Sequence, residues 1–344
     1  MRVSYEEMYK EFIRVLNKYG IEGKDAELSA KLFTDASRDG VYTHGLNRFP
    51  KFIKSIENGS VDVTKRAVKT ASFGALERWD GQKGPGNLNA YMCMERAIEL
   101  AKENTVGVVG LSNTNHWMRP GNYGIQATDK DCIAILWTNT VPNMPAWGGK
   151  DAKLGNNPIV LAVPHKDNPV ILDVAMSMFS YGKLEKLKME GKDTPVDGGY
   201  NIRGEVTRKP EEILETHQVF PIGFWKGSGL SLLLDLIASS VAGGRTSRGV
   251  GELDTETSLS QFFLAIDLSR FPDRERIDEE IEKTLEDLRS SIPMDEAHPV
   301  HAPGDGMKKT RKESMEKGIF VDEEVWKKVL ELSYVYSRHC QCNF

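Results

Sequence analysis

The sequence predicts an α/β protein in which a central sheet is flanked by helices and both ends of the chain are mainly helical. Three observations carry that expectation. Apolar residues recur at helical spacing through the first sixty positions. Short β-branched runs separated by helix-like stretches fill the middle of the chain. With 344 residues, 40% of them hydrophobic, the chain can bury at least one large core, and its length suggests two domains.

Ser4 followed by Glu7 is a capping-box signature, and Met8, Phe12, Val15, Leu16 and Tyr19 then share one face of a helix ending at Gly20. A second helix is expected from about Asp25 to Gly40, with Leu28, Leu32, Phe33 and Ala36 on its apolar face. A third runs from Tyr42 to Gly59 on Leu46, Phe49, Phe52, Ile53 and Ile56, with Pro50 in its first turn or bending it. A helix over 87–103 leads into a strand from Val106 to Leu111, and further strands fall at 132–138, 159–163, 170–174 and 261–267. At 223–238, GFWKGSGLSLLLDLIA reads as glycines preceding a long apolar helix. A regular surface helix near 274–290 buries Ile277, Ile281, Leu285 and Leu288, and composition makes 243–251 and 293–306 loops or boundaries. On this reading residues 1–75 plus 290–344 form a helical part, and 76–289 the α/β part.

A net charge of −5 offers no basic face for a phosphate backbone, so no nucleic-acid partner is expected. No segment, the charged start MRVSYEEMYKEF included, is apolar for long enough to span a membrane or serve as a signal peptide. Four cysteines, with Cys93 and Cys132 inside apolar runs, do not make a disulfide framework, and a cytoplasmic location is expected. His339, Cys340 and Cys342 could bind metal or oxidise, but no second pair completes four ligands and no metal site is expected.

G-x-G triplets begin at Gly84, Gly227, Gly249 and Gly304, and none continues to the third small residue of the dinucleotide fingerprint. P-loop, nucleophile-elbow and zincin motifs are also absent. In YTHGLNRFPKF at 42–52, a helix starting near Tyr42 would put His44 and Arg48 on one face. His44 can hand over a proton near neutral pH, and the Arg48 fork suits a carboxylate; a solvated helix face is the bland alternative. SNTNHWMRPGNYG at 112–124 follows a strand, the place where α/β proteins set ligand groups, and offers Asn115, His116 and Arg119 beside Trp117 and Met118. GNNP at 155–158 supplies the Asn156 and Asn157 amides or merely a turn. The GSG triplet with Lys226 could hold a phosphate at a helix N-terminus, or serve only close packing.

Taken in order, HGLNRFPKF, NHWMRPGNYG, ILDVAMSMFSYGKLE, PVDGGY, GFWKGSGLSLLLDLIA and SQFFLAIDLS resemble the malate/L-lactate dehydrogenase-like oxidoreductases, from the first helix to about Lys328. The resemblance implies a homodimeric reductase of small 2-keto acids that uses NADH or NADPH on a non-Rossmann nicotinamide-binding fold. It implies His44 as the proton donor and Arg48 as the carboxylate clamp, with His116 and Asp197 lining the active site. For the cofactor it implies Pro169, Val170, Ile171, Leu172, Asp173, Val174 and Ala175, then Trp225 and Lys226, then Gly304, Asp305 and Gly306. In that last triplet relatives carry Gly-His-Glu or Pro-Gly-Glu, so the resemblance leaves the ribose or phosphate contact, and the preference between NADH and NADPH, open here. Two other readings compete with an active reductase. One is a cofactor-binding scaffold without turnover; the other is a metal hydrolase built on His298, His301, His339 and the terminal cysteines.

Overall fold

The computed structural model describes residues 1–334 apart from Asp167, so His339, Cys340 and Cys342 lie outside the described residues. The chain forms two compact units, one made of Met1–Thr64 and the segment from Gly306 onward, the other of Lys65–Asp305.

In the first unit α1 (Tyr5–Lys18) starts where expected, with the Ser4 hydroxyl accepting the Glu7 amide at 3.1 Å. Helices α2 (Gly23–Arg38) and α3 (Phe49–Glu57) pack on it through an aromatic cluster. The Phe49 ring stacks on Phe12 at 4.1 Å and meets Phe33 edge-on at 5.1 Å. The expected third helix does not begin at Tyr42. Tyr42–His44 is a short 3₁₀ turn, Gly45 leaves helical geometry at φ −103°, ψ −119°, and α3 starts only at Phe49 with Pro50 in its first turn.

The second unit is built on a seven-stranded sheet. Its strands are β1 (Val68–Phe73), β2 (Leu76–Asp80), β3 (Val106–Thr114), β4 (Cys132–Thr138), β5 (Ile159–Val163), β6 (Val170–Val174) and β7 (Leu259–Asp267), in the order β1-β2-β3-β7-β4-β5-β6. Only β2 and β3 run parallel, joined by α4 (Gly86–Asn104); every other neighbouring pair is antiparallel. A parallel doubly wound sheet is therefore absent, as the failed fingerprint search implied. Helix α5 (Gly121–Thr128) covers β4, β5 and β6, while α6 (Tyr181–Met189) and α7 (Pro210–Thr216) pack together before α8 (Trp225–Ala242). A short α9 (Ser247–Val250) lies inside the expected loop, capped by the Thr246 hydroxyl. In α10 (Arg274–Arg289) only Leu285 is buried; Ile277 and Ile281 are half-buried and Leu288 is exposed. The hairpin β1–β2 straddles the border expected at residue 75. Its first strand is a polar, largely exposed edge with no alternation to read.

Two helices, α11 (Asp305–Lys317) and α12 (Glu323–Tyr334), close the described chain, and Ile319–Phe320 pairs antiparallel with Arg2–Val3. Within the first unit, Arg311 of α11 forms a two-pronged bond to Asp39 at 2.8 Å and 2.8 Å, just beyond the end of α2. Arg38 adds a third contact to the same carboxylate, whose side chain is wholly buried. This pair braces the segment that leads into the His44 turn. Arg311→Ala should cost roughly 1–3 kcal/mol, because it removes a two-pronged bond from a buried carboxylate that keeps its Arg38 contact, although the arginine is itself 30% exposed. Lys10→Ala, in an exposed pair with Glu6, should cost less than about 1 kcal/mol. Urea unfolding midpoints of the two variants measure the difference, and equal midpoints would refute it.

Candidate active-site residues

In the first unit His44 closes the 3₁₀ turn and Arg48 stands at the N-cap of α3; both are half-buried. They are not neighbours on a regular helix, so the four-residue spacing does not by itself align them. What fixes them is the segment between. Gly45 presses on α2 so closely that a methyl group there would lie 2.2 Å from Ser37 Oγ and 2.7 Å from the Ser37 amide nitrogen. Ser37 Oγ accepts the Leu46 amide at 2.8 Å, and the Leu46 and Phe49 side chains are fully buried. The turn is thus held from behind by backbone contact and a packed core.

In the second unit His116 stands on the turn between β3 and α5, where Met118 donates its amide to His116 Nδ1 at 3.0 Å. A neutral ring therefore carries its proton on Nε2. Met118 adopts φ +66°, an uncommon conformation for a long side chain. Asn115 donates to the Lys83 and Gly84 carbonyls at 2.7 Å and 3.0 Å, and Trp117 and Met118 are buried, so these three residues build the turn. Asp197 is exposed, followed by Gly198 and Gly199, which pack against Ile213.

The segment Pro169–Ala175 contains β6, the edge strand, one row of whose backbone groups has no partner within the sheet. Its start is joined to the Gly304 loop: Ile171 donates to the Pro303 carbonyl at 3.3 Å, and Gly304, at φ +102°, leaves only 2.8 Å between a would-be methyl and the Pro169 carbonyl oxygen. Just beyond its end, the Met176 carbonyl accepts the Ile222 amide at 2.8 Å, immediately before α8. Pro169–Ala175, the start of α8 with Trp225 and Lys226, and Gly304–Asp305 are therefore tied together within one unit. Gly306 begins the other unit's share of α11 with open space around it. The Asp305 carboxylate is already engaged. Arg289 binds both its oxygens at 2.8 Å and 3.1 Å, the Ala302 amide donates at 2.9 Å, and Arg289 holds the carboxyl below its ordinary range.

Two sequence expectations are corrected here. Helix α8 starts at Trp225, so Gly227-Ser228-Gly229 lies inside it and does not form a loop in front of it. Gly227 serves packing, since a methyl group there would lie 2.1 Å from the Ile222 carbonyl oxygen. The start of α8 has no side-chain cap; the Lys226 and Ser228 amides donate to the Gly223 and Phe224 carbonyls at 3.3 Å and 3.1 Å, and the Lys226 ammonium lies 6.0 Å from the centre of the Trp225 ring. Asn157 is not free to orient a substrate. It is fully buried, accepts the Thr140 amide at 3.0 Å, and donates to Ser231 on α8 at 2.9 Å and 3.1 Å. The Asn156 side-chain oxygen accepts from Thr140 and Asn143.

The sequence reading passed over one contact, from the Asp173 carboxylate to the first amide of α5, Gly121, at 2.9 Å. Asp173 as a residue is exposed on the edge strand, but desolvation of its carboxyl where it meets α5 pushes that group above its ordinary range, and the Arg119 guanidinium pulls it back. An acid within the apolar run VILDV was the available signal.

Residues 3–330 match the malate/L-lactate dehydrogenase family profile. The 2,3-diketo-L-gulonate reductase of Mannheimia succiniciproducens is 41% identical over 334 residues, covering 96% of this chain and all of the relative. Two solved structures superpose along nearly the whole chain. Sulfolactate dehydrogenase from Methanocaldococcus jannaschii has a TM-score of 0.88 and 28% identity, covering 96% of each chain. Malate dehydrogenase from Pyrococcus horikoshii OT3 has a TM-score of 0.86 and 29% identity, covering 97% of this chain and 94% of that one. The chain belongs to the malate/L-lactate dehydrogenase family and is an oxidoreductase of its non-Rossmann fold.

The Gly45 contact makes a direct test of how the His44 turn is built. Gly45→Ala should lower stability by about 1–3 kcal/mol through overpacking against α2, and should lower turnover with it. Calorimetry and steady-state rates would measure both, and a wild-type melting profile would mean that the turn is not pressed on α2.

Proposed function

We propose that this chain reduces a small 2-keto acid to its 2-hydroxy acid with NADH or NADPH, and that the acid is 2,3-diketo-L-gulonate. The observation that carries the substrate reading is the similarity to a reductase of that name over its entire length. Support for a nicotinamide nucleotide comes from the donors tied together in the second unit: the open edge of β6, the start of α8 without a side-chain cap and the Lys226 ammonium. Together they suit an extended, anionic dinucleotide.

The nucleotide supplies the hydride to the keto carbon. His44, as imidazolium, delivers the proton to the oxygen that develops negative charge, and Arg48 binds the substrate carboxylate through its fork of donors. His116 and Asp197 line the substrate site. Lys226 and the start of α8 bind phosphate, while Pro169–Ala175 and Gly304–Gly306 bind the remainder of the dinucleotide. The malate and sulfolactate dehydrogenases among the solved relatives make those acids the competing substrates.

The faces of α8 support a homodimer. The helix turns Gly227, Ser231, Asp235 and Ser239 inward and leaves Leu230, Leu233, Leu236 and Ile237 between 43% and 55% exposed. An apolar face of this length calls for a covering surface, and a second copy of the chain supplies an identical one. Among the described residues no helix is long and apolar enough to cross a membrane. Residence in the cytoplasm fits the buried thiols Cys93 and Cys132, both free.

The first test is oxidation of NADH and of NADPH against 2,3-diketo-L-gulonate, oxaloacetate, pyruvate and sulfopyruvate. Turnover with the diketo acid is expected, and turnover with another acid alone would replace the substrate. His44→Ala should lower kcat by roughly 10²- to 10⁴-fold with little change in binding, and Arg48→Lys should raise KM sharply. Retained turnover or an unchanged KM would remove the respective role. Leu233→Glu should convert a dimer to a monomer in sedimentation velocity, and a monomeric wild type would end the dimer proposal.

A further inference from the structure

The place where β6 meets α5 does more than cover the sheet. Arg119 is only 4% exposed, and a buried guanidinium requires a compensating anion nearby. Asp173 reaches across from the edge strand to the first amide of α5. A methyl group on Gly121 would lie 2.9 Å from Asp173 Oδ2, 3.4 Å from Arg119 Nε and 3.7 Å from Arg119 Nη2. Carboxylate, guanidinium and helix N-terminus thus converge on one point, which only a glycine leaves open.

Arg119 ends the turn on which His116 stands. That turn has no regular structure of its own between Thr114 and Gly121, and Met118 holds a positive φ within it. Its middle is held by the buried Trp117, whose carbonyl accepts the Tyr123 hydroxyl, and its two ends are fixed separately. Asn115 fixes the first through the Lys83 and Gly84 carbonyls, and the Gly121 amide fixes the second on Asp173, whose carboxylate also feels the charge of Arg119.

We propose that Asp173 is a positioning residue for His116: its carboxylate links the edge strand to Arg119 and the start of α5, and so fixes the turn that aims the His116 ring. The role belongs to the charge, beyond the hydrogen bond alone. Asparagine at 173 can still accept the Gly121 amide but cannot neutralise Arg119. A carboxylate at this point also draws on the favourable end of the α5 dipole.

The test compares Asp173→Asn and Asp173→Glu with wild type by two readouts. The first is the imidazole ¹H–¹⁵N spectrum of uniformly labelled protein, in which His116→Asn identifies the His116 signals among the seven histidines. Wild type should show the Nε2–H form for neutral His116; Asp173→Asn should shift those signals and mix the tautomers, and Asp173→Glu should restore them in part. Unchanged His116 signals in Asp173→Asn would overturn the proposal, whatever happens to the melting temperature. If Asp173→Asn fails to fold, Gly121→Ala disturbs the same point from the helix side, and unshifted His116 signals there would overturn it equally.

The second readout is kinetic, and it alone rests on the reductase reading. Asp173→Asn should lower kcat roughly 10- to 100-fold, the scale of a misplaced reacting group, beyond any loss of nucleotide affinity, read from nicotinamide fluorescence, that the place of Asp173 within Pro169–Ala175 entails. A loss confined to nucleotide affinity would assign Asp173 to cofactor binding and overturn the positioning role. A wild type inactive on every keto acid would refute the reductase reading and leave the spectroscopic result to decide the position of His116.

Discussion

Strand β7 lies between β3 and β4, and both halves of the sheet depend on that insertion. On one side it pairs Phe263 with Val109, and on the other with Leu136, so the last strand to be made is the one that joins β1-β2-β3 to β4-β5-β6. The run Leu259–Phe263 is buried throughout, which makes this pairing the interior of the core. Because β7 runs antiparallel to both neighbours, the sheet has no row of parallel strand ends and no switch-point crevice between them. A ligand of this unit must use the sheet's edge and the loops tied to it. The edge strand β6 is where the Gly304 loop, the approach to α8 and the start of α5 are all attached.

A second constraint is the polar layer beneath α8. Asn139 donates to Asp235 at 2.8 Å and accepts the Ser260 amide at 2.8 Å, while Asp235 also receives the Ser247 amide. Burial pushes the Asp235 carboxyl above its ordinary range, and the hydrogen bonds from Asn139 and Ser247 oppose that rise. With Asn157 bonded to Ser231, the inner stripe of α8 is specified by hydrogen bonds more than by leucine packing. Leu234 packs inward with these residues, and Leu230, Leu232, Leu233 and Leu236 are displaced outward. The helix can sit in only one rotation about its axis without stranding these buried groups, so the exposed apolar face follows from the polar one.

These two features mark the limits of what the residues alone disclose. Strands β4, β5 and β6 were legible to the residue because each is a continuous β-branched or apolar run closed by polar or turn residues. The order of those strands was not, since β7 is distant in sequence from both of its partners. Helix α8 was legible as apolar, but its orientation was not, because a helix apolar on most sides gives no amphipathic phase and the deciding residues are serines and an aspartate. At the site, the residue types of the His44 and His116 segments were legible, whereas their geometry depends on contacts between elements. The break at Gly45 comes from the backbone of α2, and helical periodicity carries no record of it.

The two histidine-bearing segments, each within its own unit, share a construction. Neither ring stands on a helix or strand, the elements that usually give functional groups their precision. His44 closes a short 3₁₀ turn and His116 stands on an irregular one, and a neighbouring regular element holds each: Ser37 of α2 against Gly45, and Asp173 of β6 on the Gly121 amide. A turn of this kind can take backbone angles that a helix forbids, as at Gly45 and Met118, and so present a ring in a direction no helix face offers. Its rigidity is borrowed, and the lender is a small residue or a single carboxylate. Loss of function in such a protein should therefore arise from changes at Ser37, Gly45, Gly121 or Asp173 as readily as from changes at the histidines themselves.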